Sequence, residues 1–351
     1  MHDRRQRSVS SFKIISIKFS LFLQLSANSP HSPATSTIMS SFTIKDVRIF
    51  DGENTIDCGS VTVKEGKIDK VSRSSSGTKP THTLLPGLID CHVHCDSANR
   101  TALPQSLRFG VTTVCDMGNE WPNILKLRKQ IADEGDCADI KTTSFPATVE
   151  MGWPAPVVLA HSQNPNVKEE LDTYPKLEKP EDAKGYLDDR VKEEVDYIKL
   201  MHESGTTMGQ KFNMPSLELQ KALIDGAHAH GLITVAHATC RQDTLDILNQ
   251  GVDGLTHQFV DQPINQEVID AYKKNNAHLN PTLACMGSLT TEGKAMQEKY
   301  AHDERIQHLV PEDARHRLCA CMDFAKVPGA TVEHSYDAVR QLKAAGVDIV
   351  V

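Results

Sequence analysis

Two histidines one residue apart close an apolar stretch, Pro86-Gly-Leu-Ile-Asp-Cys-His92-Val-His94. In a strand, side chains two positions apart leave the same face, so both imidazoles converge on one point. Three further apolar runs carry ligand-type groups. Lys199 lies in Tyr197-Ile-Lys-Leu-Met, His237 ends Thr234-Val-Ala-His, and His257 ends Gly254-Leu-Thr-His twenty residues later. Imidazoles in this number suit a divalent ion of the zinc class in a catalytic site with an open position. A lysine inside an apolar strand is costly unless it is paired, neutral or modified. Each group taken alone also reads as a satisfied core residue, and a chain with sixteen histidines produces His-x-His by chance. Four strand ends in one series are harder to assign to chance.

Those strand ends need a scaffold. From residue 84 onward, strand-like runs alternate with helical stretches, which predicts βα repeats around a parallel sheet. The expected strands are Leu84–Cys91, Val111–Cys115, Ile140–Phe145, Tyr197–Met201, Ile233–Ala236, Gly254–Thr256, His278–Thr282 and Val347–Val351. Expected helices include Pro180–Val195, Pro215–His230, Asp243–Gln250 and Asn265–Asn275. Eight strands at this spacing predict an α/β fold of the (β/α)8 barrel type, with chemistry at the C-terminal strand ends. A doubly wound open sheet is the alternative, weakened because no Gly-rich phosphate loop follows the first strand. Residues 41–85 alternate apolar and polar positions between Asp51-Gly52 and Glu65-Gly66 turns, which predicts a small antiparallel β unit.

Composition narrows the class. Apolar residues make up 39% of the chain and charged residues 24%, which excludes a disordered or fibrous polypeptide. The net charge of −8 and the lack of a basic patch argue against a nucleic-acid partner. Nine scattered cysteines without a Cys-x-x-Cys pair match neither a disulfide framework nor a zinc ribbon, and point to a reducing compartment. Residues 1–40 differ from the rest: five basic residues and one acid give them +4, leaving −12 for residues 41–351. Their apolar run, Phe19–Leu25, is too short to span a bilayer. They read as an extension, disordered or targeting. A cytoplasmic location is expected, or a mitochondrial one if they form a transit peptide.

With these motifs in hand, the sequence resembles the amidohydrolase superfamily. The resemblance rests on Leu84-Leu-Pro-Gly-Leu-Ile-Asp-Cys-His-Val-His94, Ile198-Lys199, Ala236-His237-Ala238 and Thr256-His257, preceded by the small β unit. It covers residues 42 to 351 and is nearest to the binuclear branch with a carboxylated lysine, which includes Xaa-Pro dipeptidase-like and ochratoxin-hydrolysing enzymes. It implies a TIM barrel with a small N-terminal β-sandwich-like unit, divided as 1–40, 41–85 and 86–351. It also implies two divalent metal ions of the zinc class. His92 and His94 would hold the more buried ion, carboxylated Lys199 would bridge both, and His237 and His257 would hold the second. The implied reaction is hydrolysis of a C–N bond in an amide, dipeptide-like or cyclic amide substrate by a metal-bridging hydroxide. The implied partner is a small molecule, with no transmembrane segment and with homo-oligomerisation left open.

One element of the pattern is expected to be missing. The resemblance places a proton-shuttling aspartate after strand eight, about three residues past Val351. Asp348 sits at the wrong end of that strand to serve. The reading is therefore of a barrel truncated at strand eight, with a catalytically inactive product as the alternative to an active hydrolase. Among lesser features, Asp116 and Glu150 follow strands two and three and could line the pocket, although solvated or capping roles fit them better. The Gly205 and Thr206–Gln210 loop could cover a substrate. Cys91 and Cys95 read as packing residues, and His228 and His230 as surface or capping groups.

Overall fold

The computed structural model describes residues 41–75, 77–95, 101–162 and 165–351. The reading of residues 1–40 as an extension lies outside them. The described residues divide into two compact units between Leu88 and Ile89.

In the first unit, β1 (Ser41–Phe50), β2 (Thr55–Lys64) and β3 (Lys67–Arg73) form an antiparallel meander, and β4 (Thr83–Leu84) pairs parallel to β1. The strand order is β3-β2-β1-β4. Alternation puts Val47, Ile49, Val61 and Val63 on one buried face. A sandwich-like unit was expected; the described residues form a single sheet. Without a second layer, nearly all of β3 is exposed, its apolar Ile68 and Val71 included.

The second unit is parallel α/β. One sheet has the order β5 (Leu88–Val93), β6 (Val111–Asp116) and β7 (Asp139–Thr142). The other has β8 (Ile198–Met201), β9 (Thr234–His237), β10 (Gly254–Thr256) and β11 (His278–Asn280). The expected third strand runs to Phe145 in the sequence reading but ends at Thr142. Beyond it Ser144 adopts a left-handed φ of 55°, and Pro146 has no N–H to give to a ladder. The chain rejoins at a single bridge, Ala147 to Leu200, where Ala147 N donates to Lys199 O and Met201 N to Ala147 O. The last expected strand, Val347–Val351, is likewise a single bridge, Leu279 to Ile349. Its Val351 carbonyl accepts from Cys91 N of β5 at 3.2 Å. The parallel strands therefore lie in two sheets joined by single bridges, not in one continuous ladder.

The register of β8 to β11 sorts their side chains into two rows. Lys199, Val235, Gly254 and His278 align, and Met201, His237, Thr256 and Asn280 align two residues further on. The residues between them, Leu200, Ala236, Leu255 and Leu279, join the buried cluster formed with the helices. Period-two alternation thus turns Lys199 and His237 away from the helix layer. Gly254 makes room for its neighbour: a Cβ there would lie 2.1 Å from Cε1 of His278.

The helices that clamp this sheet are amphipathic and capped. In Leu217–Ala229, Leu219, Leu223, Ile224 and Ala227 are buried at helical spacing. Burial of each large apolar side chain contributes about 1.5–3 kcal/mol. Ser216 starts the helix by accepting from Leu219 N at 3.2 Å. In Gln266–Asn275, Asn265 accepts from Val268 N, and Asn276 ends the helix in the left-handed conformation. Each helix returns the chain to the start of the next strand, so His237 and His257 emerge at the same end of adjacent strands.

Candidate metal centre

Four imidazoles gather at the C-terminal strand ends. The ring centroids are 5.3 Å apart for His92 and His94, 4.8 Å for His92 and His257, and 4.7 Å for His237 and His257. Lys199 shares their side of the sheet: it aligns with Val235, two residues before His237, and its Nζ meets Thr256, the residue before His257. The geometry brings together all five residues singled out in the sequence.

The contacts of each ring define what it can offer. The Nδ1 of His94 faces the carbonyl of Gly118 at 3.3 Å. A carbonyl only accepts, so this nitrogen carries the proton and Nε2 the lone pair. That Nε2 lies 3.3 Å from Nε2 of His92. The Nδ1 of His92 is buried with no partner among the described residues. His257 has its Nδ1 2.6 Å from the Thr282 hydroxyl, and Trp153 stacks on His237 with the ring centroids 4.9 Å apart. Burial, the largest influence, holds His92, His237 and His257 below the usual imidazole range, so all three are neutral at pH 7. Neutral imidazoles with converging lone pairs are the form that binds metal.

The separation of the two Nε2 atoms tests the fit. Zinc–imidazole bonds of about 2.0–2.1 Å at a tetrahedral angle set ligand nitrogens about 3.3–3.4 Å apart. The observed 3.3 Å matches that edge. Lys199 is fully buried, and its Nζ donates a short hydrogen bond to Thr256 Oγ1. Burial brings its pKa from 10.5 down to about 7. An amine in that state is half neutral near physiological pH.

Several supporting residues were not singled out as site candidates in the sequence. Glu203 is buried, with Oε2 3.2 Å from Nε2 of His237. Trp153, Thr256, Thr282 and Asn280 also surround the histidines or share their strand ends. A polar residue within a few positions of an apolar strand end is the one signal that could have flagged Glu203, Thr256 and Asn280.

The lesser candidates sort differently. The Asp116 carboxylate braces its own turn, accepting from Cys95 N, Gly118 N and Asn119 Nδ2. Glu150 pairs with Lys176 at 3.0 Å. Asp348 gives its carbonyl to Leu279 N. His228 faces Asp253 at 2.7 Å, a carboxylate that also caps Thr234 N. A separate trio, Glu134, Asp136 and Cys137, has ligand atoms within 4.8 Å of one another. Asp136 is exposed there and Cys137 Sγ already points at Glu134, which fits a loop closed on itself.

Comparison with known proteins gives this geometry its family. The sequence pattern of the amidohydrolase family matches residues 83–351, and the chain belongs to that family. It is by family a hydrolase of carbon–nitrogen bonds, a class that uses divalent metal ions. No curated protein matches the chain. Among solved structures it is similar to a Xaa-Pro dipeptidase with methionine bound in its active site, with 18% identity, a TM-score of 0.61, and coverage of 88% of this chain and 78% of that one. It is similar to the A. niger ochratoxinase, with 15% identity, a TM-score of 0.58, and coverage of 88% and 75%. A molinate hydrolase matches with 17% identity, a TM-score of 0.58, and coverage of 89% and 72%. At these identities the likeness is one of fold, and the fold is TIM-barrel-like. No helix among the described residues is long and apolar enough to cross a membrane.

Proposed function

We propose that residues 86–351 form a metal-dependent amidohydrolase barrel, with residues 41–85 as an accessory β unit, and that it hydrolyses an amide, dipeptide-like or cyclic amide bond in a small molecule. The observation that carries this reading is the convergence of His92, His94, His237 and His257 around buried Lys199. His92 and His94 would hold one divalent ion and His237 and His257 a second, both of the zinc class, with Lys199 between. Ions bound there would supply an activated water and polarise the scissile carbonyl.

The chain's own residues prepare that chemistry. Burial keeps much of Lys199 as free amine near neutral pH. The amine lone pair adds to CO2, forming an N–C bond and releasing one proton. As the N–C bond forms, one C=O bond of CO2 opens to a C–O⁻, and the resulting carbamate would give Lys199 carboxylate oxygens with which to help hold the ions. The Thr256 hydroxyl, already in contact with Lys199 Nζ, orients the amine. The Gly118 carbonyl and the Thr282 hydroxyl hold the rings of His94 and His257, and Trp153 covers one face of His237.

The Xaa-Pro dipeptidase and ochratoxinase likenesses direct the choice of substrates. The test is elemental analysis of the purified protein with hydrolysis assays on Xaa-Pro dipeptides and N-acyl amino acids. Two divalent ions per chain and release of a free amine are expected. A folded protein that takes up no divalent ion overturns the reading.

A further inference from the structure

Glu203 occupies a place that calls for an explanation. It sits four residues past Lys199, in the turn after β8, and is 1% exposed. Among the described residues its ion-pair partner is His237, and no lysine or arginine meets it. A buried carboxylate without a cation is costly unless its oxygens are well supplied with donors.

The donors are in place. Gly205 N–H donates to Oε1 at 2.8 Å, and the Thr239 hydroxyl donates to Oε2 at 2.6 Å. Each oxygen thus receives a donor, Oε1 from the Gly205 N–H and Oε2 from the Thr239 hydroxyl, so both act as acceptors. Gly205 reaches this position at φ +84°, where a Cβ would lie 2.9 Å from the carbonyl oxygen of Gln210. The third group facing Oε2 is Nε2 of His237 at 3.2 Å. An acceptor opposite a ring nitrogen selects the tautomer with the proton on that nitrogen.

We infer that Glu203 is a positioning residue: it holds the proton of His237 on Nε2 and makes Nδ1 the lone-pair nitrogen of that ring. Trp153, stacked within 25° of the imidazole plane, fixes the remaining rotation. Glu203 touches neither substrate nor ion in this assignment. It acts through His237, as carboxylates behind metal-bound imidazoles do. The consequence for metal affinity rests on the function proposed above; the tautomer does not.

The experiment reads the two separately. Protein labelled with 15N-histidine and stripped of metal is examined by long-range proton–nitrogen correlation, with the His237 signals assigned from His237→Gln. A proton on Nε2 is expected, and a proton on Nδ1 overturns the inference whatever the metal content. In chelator competition with zinc, Glu203→Leu is expected to lose 10–100-fold in affinity and to show mixed tautomers, with an unchanged circular dichroism spectrum. Glu203→Gln keeps a carbonyl acceptor and is expected to restore the Nε2–H form. Wild-type zinc affinity in folded Glu203→Leu overturns the inference. A wild-type protein that binds no zinc undoes the proposed function instead, while the ring measurement still decides the role of Glu203. Should Glu203→Leu not fold, the wild-type and Glu203→Gln spectra carry the decision.

Discussion

The Nε2 atoms of His92 and His94 face each other across 3.3 Å, and the Gly118 carbonyl forces the proton of His94 to the far side of its ring. Two ring nitrogens at this distance share either a proton or a cation. Replacing either ring by alanine removes half of a ligand pair. We expect His92→Ala and His94→Ala to be isolated with at least one fewer divalent ion per chain. Unchanged stoichiometry in either variant would remove that residue from the site.

Lys199→Met keeps the length of the side chain and discards the amine. Removing a buried amine whose hydrogen bond to the Thr256 hydroxyl only partly offsets its burial relieves a desolvation cost on the order of several kcal/mol. The metal-free variant should melt no lower than the metal-free wild type, yet hold markedly less metal. A variant that retains two ions per chain would refute the bridging role.

Lys199 and the buried histidines of the site push stability one way, while Glu203, whose carboxyl is pushed up by burial, opposes them. Lys199 has a folded pKa of about 7 against 10.5 unfolded, so the unfolded state binds more protons between those values. The metal-free protein therefore gains stability as pH rises from 7 toward 10. His92, His237 and His257 are held below 6.5 by burial first, so stability is lost as pH falls below 6.5. Each contributes up to about 1.4 kcal/mol per pH unit there. Denaturant midpoints at pH 5.5, 7 and 9 should rise in that order, and a flat profile would contradict the burial of these groups.

Gly254→Ala would set a methyl group 2.1 Å from the His278 ring. Overpacking of this kind costs about 1–3 kcal/mol. Adding His278→Ala clears the space, so the double variant should recover most of the loss, a coupling of about 0.5–3 kcal/mol in a double-mutant cycle. Additive losses in the cycle would show that the two residues are independent.

Trp153 offers an optical handle, since it stacks on His237 while the chain's other tryptophan, Trp121, lies under Arg128. In Trp121→Phe, adding zinc to stripped protein should change the remaining indole emission with the stoichiometry of site filling. A spectrum indifferent to zinc would separate His237 from the ion.

What could be read from the sequence, and what could not, divides along a physical line. Lys199, His237 and His257 were visible because each interrupts or ends an apolar run; strand alternation fixes the direction of Lys199 and His237, whereas His257 lies just past β10 and turns at a φ of 73°. The four strands from β8 to β11 were legible for the same reason, and their ends agree with the sequence reading to within two residues. The third strand was read three residues too long, because the threonines of Ile140-Lys-Thr-Thr-Ser-Phe145 suit a strand up to Phe145 while Ser144 and Pro146 have already left the ladder. Glu203 carried only the weak signal of lying near a strand end, and a glutamate in a loop ordinarily reads as solvated. Its burial is decided by the Gly205 turn and by Thr239, thirty-six residues away.

The alternation of Lys199, His237 and Thr256 with Leu200, Ala236 and Leu255 has a consequence for change over time. Neighbouring residues in one strand answer to different demands, one to the helices behind and the next to the reaction in front. Substitution at an inward position such as Lys199 leaves the apolar seam against the helices untouched, so the chemistry in front can change while the packing behind it stays. A slip of one residue in register would trade both at once, which makes register the property that such a chain can least afford to lose.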